Sequence, residues 1–278
     1  MRKFDICVPC SSANIGPGFD VVGLALSIFL ELQVVIDPLT PNGAPHNCKI
    51  AYEGEGADEV PLEADANLIT RTALYVLKCH DIRTFEQGTL VKIINPIPLG
   101  RGLGSSGAAV VAGVMLGNAC GQLGLSKDRM LDFCLMIERH PDNVTAAMIG
   151  GFVGSYLREL DPKDMERKEI PLAEVLPSPA GGIDTGLKPP VPPLGIGHYI
   201  RYGWAEEIKA IAIIPDFEVP TATARGALPK QYSAKDLVHD SYCVTNSQDF
   251  QFTTTSCTDY SSNPFTARSR TDLPCYAR

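Results

Sequence analysis

Only one Cys-x-x-Cys occurs among the nine cysteines, Cys7-Val8-Pro9-Cys10, and no second pair follows it. A structural zinc site needs four well-placed ligands, so this cysteine usage argues against a zinc module. Cys79, Cys120 and Cys134 instead lie inside apolar runs, where free thiols act as small buried hydrophobes, and a reducing, cytoplasmic setting is the expectation. Basic charge is short as well. Lys and Arg number 24 against 32 Asp and Glu, a net charge of -8 that offers no footprint for a polyanion, so nucleic acid is not an expected partner. No apolar h-region can form after Met1-Arg2-Lys3-Phe4-Asp5, which speaks against a secretory signal.

Charge is missing altogether from residues 102–126, a stretch long enough to span a bilayer that also carries Gly113-x-x-x-Gly117. Its seven glycines, together with Ser105, Ser106, Asn118 and Gln122, make it weakly hydrophobic for lipid, so a buried helix is expected and no membrane partner. The composition is otherwise that of a globular protein. An apolar share of 45% over 278 residues supports a sizeable core in one large domain or two smaller ones.

The first half reads as mixed α and β. Ile6-Cys7-Val8 has the look of a short strand, and residues 24–36 form a long apolar run in which Glu31 and Gln33 alternate outward as in a half-buried strand or hairpin. Residues 67–78 have helical spacing with Asp65 as candidate cap; 90–95 are β-rich. A glycine-laden turn then opens a small-residue helix at about Ser105. A further helix over 126–140 is expected, capped by Ser126, with Met130, Phe133, Cys134 and Ile137 on one face. Gly150-Gly151 precedes a strand-like run over 152–157. Six prolines and five glycines in residues 177–197 are loop chemistry, and 208–214 reads as a buried strand, followed by a helix start near Thr221.

Three segments carry chemistry. Residues 96–109, PIPLGRGLGSSGAA, place four glycines between a strand and a helix, where backbone N–H groups and the positive helix end favour an anion. Gly102-x-Gly104-x-x-Gly107 fits the dinucleotide fingerprint, but a helix follows where that motif requires another parallel strand. A P-loop would require lysine where Ala108 stands, and a glycine turn that only packs helix on sheet is the plain alternative. The second segment sets Asn14 and Asp20 on a glycine-proline loop just after a strand; an Asx-type turn is its plain reading. The third, Glu138-Arg-His-Pro-Asp-Asn143, offers a carboxylate stacked over Leu131 and Leu135 that could ligate magnesium or serve as an ordinary surface residue. His140 reads as a helix-ending histidine.

Together these segments resemble the GHMP small-molecule kinases, and within them the homoserine branch. Residues 96–109 resemble the phosphate-binding motif Pro-x-x-x-Gly-Leu-Gly-Ser-Ser-x-Ala, and SANIGPGFD at 12–20 with GLAL at 23–26 is similar to the amino-terminal motif. HPDNV at 140–144 and TATAR at 221–225 also match. The resemblance implies an α+β GHMP kinase fold: a ribosomal-S5-like α/β ATP-binding domain over 1–157 and a partial ferredoxin-like domain over 158–238. It implies ATP on Pro98, Gly100, Arg101, Gly102, Leu103, Gly104, Ser105, Ser106 and Gly107, with the phosphates on 102–107 and adenine near Asn67, and Mg2+ on Ser106 and Glu138. It further implies L-homoserine on Asn14, Asp20, Asn143 and Arg225, with Thr221 beside the transferred phosphoryl group and Asn14, Thr221 and Arg225 as catalytic residues. The implied reaction is phosphorylation of homoserine for threonine synthesis, and a homodimer is compatible with it. A catalytically silent GHMP-fold protein that keeps the nucleotide or ligand pocket, and a mevalonate-type kinase for another alcohol, remain open at this point.

The resemblance stops near Val238, and the carboxy-terminal Ser-Gly-x-Gly-Pro motif of the superfamily does not occur. Residues 239–278 contain 13 Ser and Thr, no glycine, and only Val244 and Leu273 from the Val, Leu, Ile and Met set. An aberrant, disordered tail is expected, because such a stretch buries too little apolar area to offset its ordering entropy.

Overall fold

The computed structural model describes residues 1–16, 18–158, 188–205, 207–214, 231 and 233–235. Its centre is a long antiparallel pair, β1 (Arg2–Ala13) and β2 (Val22–Ile36), whose register runs from Arg2 opposite Ile36 to Ala13 opposite Gly23. β1 is thus four times longer than the three residues expected from the sequence. The register shift between Pro9 and Ser11 accommodates a proline that cannot donate to the ladder.

The other edge of β2 is shared by two strands. β4 (Thr89–Asn95) pairs antiparallel with its carboxy-terminal half, and β5 (Phe152–Leu157) pairs with Val22, Gly23 and Leu24 at its start. β3 (Cys48–Gly54) runs parallel to β4, and β6 (Gly197–Tyr202) closes the other side antiparallel to β5. The result is a six-stranded mixed sheet. The expected strands at 24–36, 90–95 and 152–157 are all present.

Helices α1 (Leu68–Cys79), α2 (Ser105–Gly121), α3 (Lys127–Ile137) and α4 (Pro141–Ile149) pack with this sheet around one core that includes Val8, Leu32, Val91, Leu74, Val111 and Phe133. Helix α2 is apolar all round, as a helix wrapped by protein must be, and among the described residues no helix is long and apolar enough to cross a membrane. Its small residues serve α1. A Cβ at Gly113 would lie 2.5 Å from the Ile69 carbonyl oxygen, and one at Gly117 would lie 2.9 Å from that of Ala73, so the Gly-x-x-x-Gly stripe lets two helix backbones meet.

Three expectations fail. The cap of α1 is Asn67, whose Oδ1 accepts from the N–H groups of Ile69 and Thr70, not Asp65. The helix expected over 126–140 ends early: α3 stops at Ile137, and Pro141 opens a further helix that the sequence reading did not foresee, α4, at its first position, where a missing N–H costs nothing. The residue before a proline is steered out of helical conformation, and His140 is accordingly extended (φ -94°, ψ 104°). The strand expected at 208–214 does not form. Ile211 and Ile213 are 87% and 92% exposed, and no strand among the described residues lies beside them. An apolar run reports what favours burial, not what it is buried against.

The stretch 188–196 is strapped across the helices before it enters β6. Tyr75 on α1 donates its hydroxyl to the Pro190 carbonyl at 2.8 Å, and Arg129 on α3 donates to the carbonyls of Pro192 and Pro193. Asp132, buried on the same face of α3, binds the Arg129 guanidinium and accepts from the backbone N–H groups of Gly195 and Ile196. The proposed division at 157 leaves β6 in the first sheet; the rest of 158–238, including the helix start near Thr221, and the tail at 239–278 fall mostly or wholly outside the described residues.

Burial also sets the thiol chemistry. Desolvation raises Cys10 from its ordinary value near 9 to about 11, and Cys48, Cys79 and Cys120 to about 12. The unfolded chain loses these protons first, so stability should fall as pH rises from about 9 toward 11–12. In the folded protein at pH 8.5 these four thiols should resist iodoacetamide and become reactive on adding denaturant, read by mass spectrometry. Rapid labelling of the native protein would contradict this.

Candidate active site

The amino-terminal ends of α2 and α4 and the loop joining β1 to β2 meet at one end of the sheet. Gly104 is the residue before α2 and takes a left-handed conformation (φ 61°), with no side chain capping the helix. Helix geometry leaves the N–H groups of Ser105, Ser106 and Gly107 without intrahelical acceptors, so a 17-residue helix points an uncapped positive end at the loop. Ser106 is exposed and Ser105 half-buried, while Leu103 is buried and anchors the loop. A Cβ on Gly102 would meet nothing within 4 Å, which marks open space over the loop. Pro98 and Arg101 are half-buried, and Gly100 is exposed.

This loop is tied directly to β1 and α4. The Ser11 N–H donates to the Leu103 carbonyl at 3.1 Å, and the fully buried Ser11 hydroxyl donates to Asn143 Oδ1 at 3.0 Å, with the Asn143 carbonyl at 3.3 Å as a second acceptor. Asn143 is at the third position of α4, just after buried Asp142, whose Oδ1 accepts from the Asn143 backbone N–H at 2.7 Å and lies 3.4 Å from its Nδ2.

The β1–β2 loop supplies the other polar groups. Asn14 and Asp20 both have positive φ, 60° and 57°, a conformation that asparagine and aspartate tolerate better than other side chains. Asn14 Oδ1 accepts from the Asp20 N–H at 2.8 Å, and the Asn14 N–H donates to the Val22 carbonyl, so the two ends of the loop are held together. Asp20 Oδ1 lies 3.7 Å from Nδ1 of His140, the residue preceding α4. Asn14 and Asp20, six residues apart, and the distant Asn143, all three expected site residues, are thereby tied to the same end of the sheet, with the glycine loop bonded to it through Ser11.

Other expected positions take different roles. Asn67 is buried, with Oδ1 occupied by the α1 cap and Nδ2 donating to the Pro61 carbonyl at 3.0 Å, so its side chain is committed to the turn over 61–67. Glu138 does not stack over Leu131 and Leu135 as a helical residue. It is half-buried, has left the helix (φ -107°, ψ 104°), and donates its N–H to the Cys134 carbonyl at 2.8 Å. His140 begins a helix instead of ending one. Thr221 and Arg225 lie outside the described residues. Ser11, Asp142 and the position of His140 beside Asp20 were missed, although Ser11 stands inside the same run as Asn14.

Residues 67–151 match the family described as GHMP kinases N terminal domain. Over 243 residues the chain is 65% identical to a homoserine kinase of Saccharomyces cerevisiae, covering 86% of this chain and 68% of the relative. The chain belongs to the homoserine kinase family. A homoserine kinase of Candida albicans is 50% identical over the same shares of both chains. The fold agrees: a solved homoserine kinase from Cytophaga hutchinsonii superposes with a TM-score of 0.60 at 24% identity, over 88% of this chain and 66% of that one. The chain thus spans about two thirds of the length of these homoserine kinases.

Proposed function

We propose that the chain transfers the γ-phosphoryl group of ATP to the side-chain hydroxyl of L-homoserine, giving O-phospho-L-homoserine and ADP. The observation that carries this reading is the joining of an uncapped helix end and its glycine loop to a second polar cluster, Asn14, Asp20 and Asn143, through one buried serine. An anion cradle bonded to a pocket for a small polar molecule is the arrangement that phosphoryl transfer requires, since the reaction asks chiefly for positioning and charge neutralisation.

In this reading the N–H groups over 102–107 hold the ATP phosphates, and Ser105 and Ser106 add hydroxyls at the helix start. Asn67 contributes through the turn that it fixes, which borders the adenine. Asp20 pairs with the homoserine ammonium, Asn14 and Asn143 orient the amino acid, and Arg225 takes its carboxylate with a planar guanidinium. The role assigned to Thr221 by the family resemblance is at the transferred group. A new oxygen–phosphorus bond forms as the bond to the β-phosphate oxygen breaks, and the hydroxyl proton passes to solvent.

In the same reading Mg2+ accompanies the nucleotide at the start of α2, where Ser106 is exposed. Among the described residues no group of three or more His, Cys, Asp and Glu could hold a metal ion. Magnesium in nucleotide sites binds through one or two protein ligands and the nucleotide's own oxygens, so such a group is not required of it. Ser106 and Glu138 are the residues assigned to it. When bound, the ion neutralises charge on the phosphates. In this reading the reaction serves threonine synthesis in the cytoplasm, and a homodimer is compatible with it.

A coupled ADP-release assay should give turnover with homoserine and none with mevalonate or galactose. Equal turnover with mevalonate would favour another GHMP kinase, and ATP binding without turnover on any alcohol would favour a silent binder. Asp20→Asn should raise the homoserine KM by roughly ten- to a hundredfold, the range for a hydrogen bond to a charged partner, while leaving the ATP KM within about twofold. A normal homoserine KM in that variant would remove Asp20 from the pocket.

A further inference from the structure

Asn143 can face a ligand with either its oxygen or its NH2 group, and which one it presents decides whether it accepts or donates. Two buried neighbours fix the choice. Asp142 Oδ1 lies 3.4 Å from Asn143 Nδ2, so a flipped amide would bring its oxygen against a carboxylate oxygen. On the other side the Ser11 hydroxyl donates to Asn143 Oδ1 at 3.0 Å from a fully buried position. The same residue's N–H holds the Leu103 carbonyl of the phosphate loop at 3.1 Å. Space at this junction is tight, since a Cβ on Gly104 would lie 2.3 Å from Ser11 Oγ and 2.8 Å from Asn143 Oδ1.

We propose that Ser11 is a positioning residue for the acceptor site: its hydroxyl holds the Asn143 amide with the second Nδ2 N–H presented to homoserine, in register with the phosphate loop. The inference rests on the proposed role of Asn143 and adds to it a residue that touches neither substrate. Ser11 is bound to the loop by its backbone and to Asn143 by its side chain. Removing the hydroxyl therefore leaves the loop bond in place and takes from the amide one of its two restraints, so the effect falls on homoserine and not on ATP.

The test is a double-mutant cycle on the full chain, with Ser11→Ala, Asn143→Ala and the pair. Readouts are the homoserine and ATP KM values and, by calorimetry with a non-hydrolysable ATP analogue present, homoserine affinity. Ser11→Ala should weaken homoserine about fivefold, the worth of one neutral hydrogen bond, with the ATP KM within about twofold. In the Asn143→Ala background the same change should have no further effect. Ser11→Thr, which keeps the hydroxyl, should restore homoserine affinity. Additive losses in the pair, equal losses for ATP and homoserine, or a threonine variant as weak as alanine would each overturn the role of Ser11. If Asn143→Ala alone left homoserine affinity unchanged, or the unsubstituted chain did not bind homoserine, the reading of the acceptor site would fall and this inference with it. A loss in Asn143→Ala beside none in Ser11→Ala would overturn the inference alone.

Discussion

Gly104→Val should abolish both nucleotide binding and turnover. Gly104 is left-handed (φ 61°), where a β-branched side chain is strained by roughly 1–3 kcal/mol. Strain alone would only weaken the protein. The larger effect is spatial: the first side-chain atom would sit 2.3 Å from Ser11 Oγ, 2.8 Å from Asn143 Oδ1 and 3.0 Å from the Ser11 carbonyl oxygen. A backbone oxygen in the central β1–β2 pair cannot retreat, so the loop must lift. Lifting it breaks the Ser11 to Leu103 bond and turns the N–H groups of residues 105–107 away from a shared focus. MgATP affinity, measured by calorimetry, should fall more than about 100-fold, consistent with the loss of several charge-assisted hydrogen bonds at once. Gly124→Ala is the control. Gly124 has nearly the same φ, 65°, but nothing within 4 Å of its added Cβ, and it lies beyond the other end of α2, so nucleotide affinity should not change. Normal ATP binding by Gly104→Val would remove the loop from the nucleotide site.

Much of this site could be read along the chain because its chemistry is local. Three glycines, Gly100, Gly102 and Gly104, just before a small-residue helix specify a bare helix end whatever surrounds them, and the helix does start at Ser105. Ser126 caps α3 as its residue type and position predict, with Oγ accepting from the Arg129 N–H. What could not be read depends on partners distant in sequence. Ser11 looks like any strand serine until α4 brings Asn143 to its hydroxyl across 132 positions. Helix α4 was hidden because its apolar residues continue the pattern of α3, and only Pro141 with Asp142 in the first turn marks the new start. The failure at 208–214 has the same root, since apolar patterning cannot name the surface that covers it.

Asp132→Ala should be the most destabilising substitution away from the site. The carboxylate is 4% exposed and does two things: it accepts from Gly195 and Ile196 at 3.0 Å each, and it neutralises Arg129 at 2.9 Å, whose guanidinium lies 5.0 Å over the Phe133 ring. Alanine would strand two backbone donors and leave a half-buried cation with the carbonyls of Pro192 and Pro193 and the Phe133 ring but no carboxylate from Asp132. Removing one partner of a buried pair costs about 3–5 kcal/mol, so the melting temperature should drop by roughly 10 °C, at about 2–4 °C per kcal/mol for a domain of this size. The exposed pair of Lys188 with Asp81 anchors the same strap, yet Lys188→Ala should leave the melting temperature almost unchanged because water screens that pair. The loss should also reach the site. The strap feeds β6, β6 holds β5, and Ser155 of β5 donates its N–H to the Val21 carbonyl next to Asp20. Asp132→Ala should therefore raise the homoserine KM below its melting temperature while the phosphate loop, held through β1, keeps its ATP affinity. Equal melting temperatures for Asp132→Ala and Lys188→Ala would show that the strap is not fastened by this carboxylate.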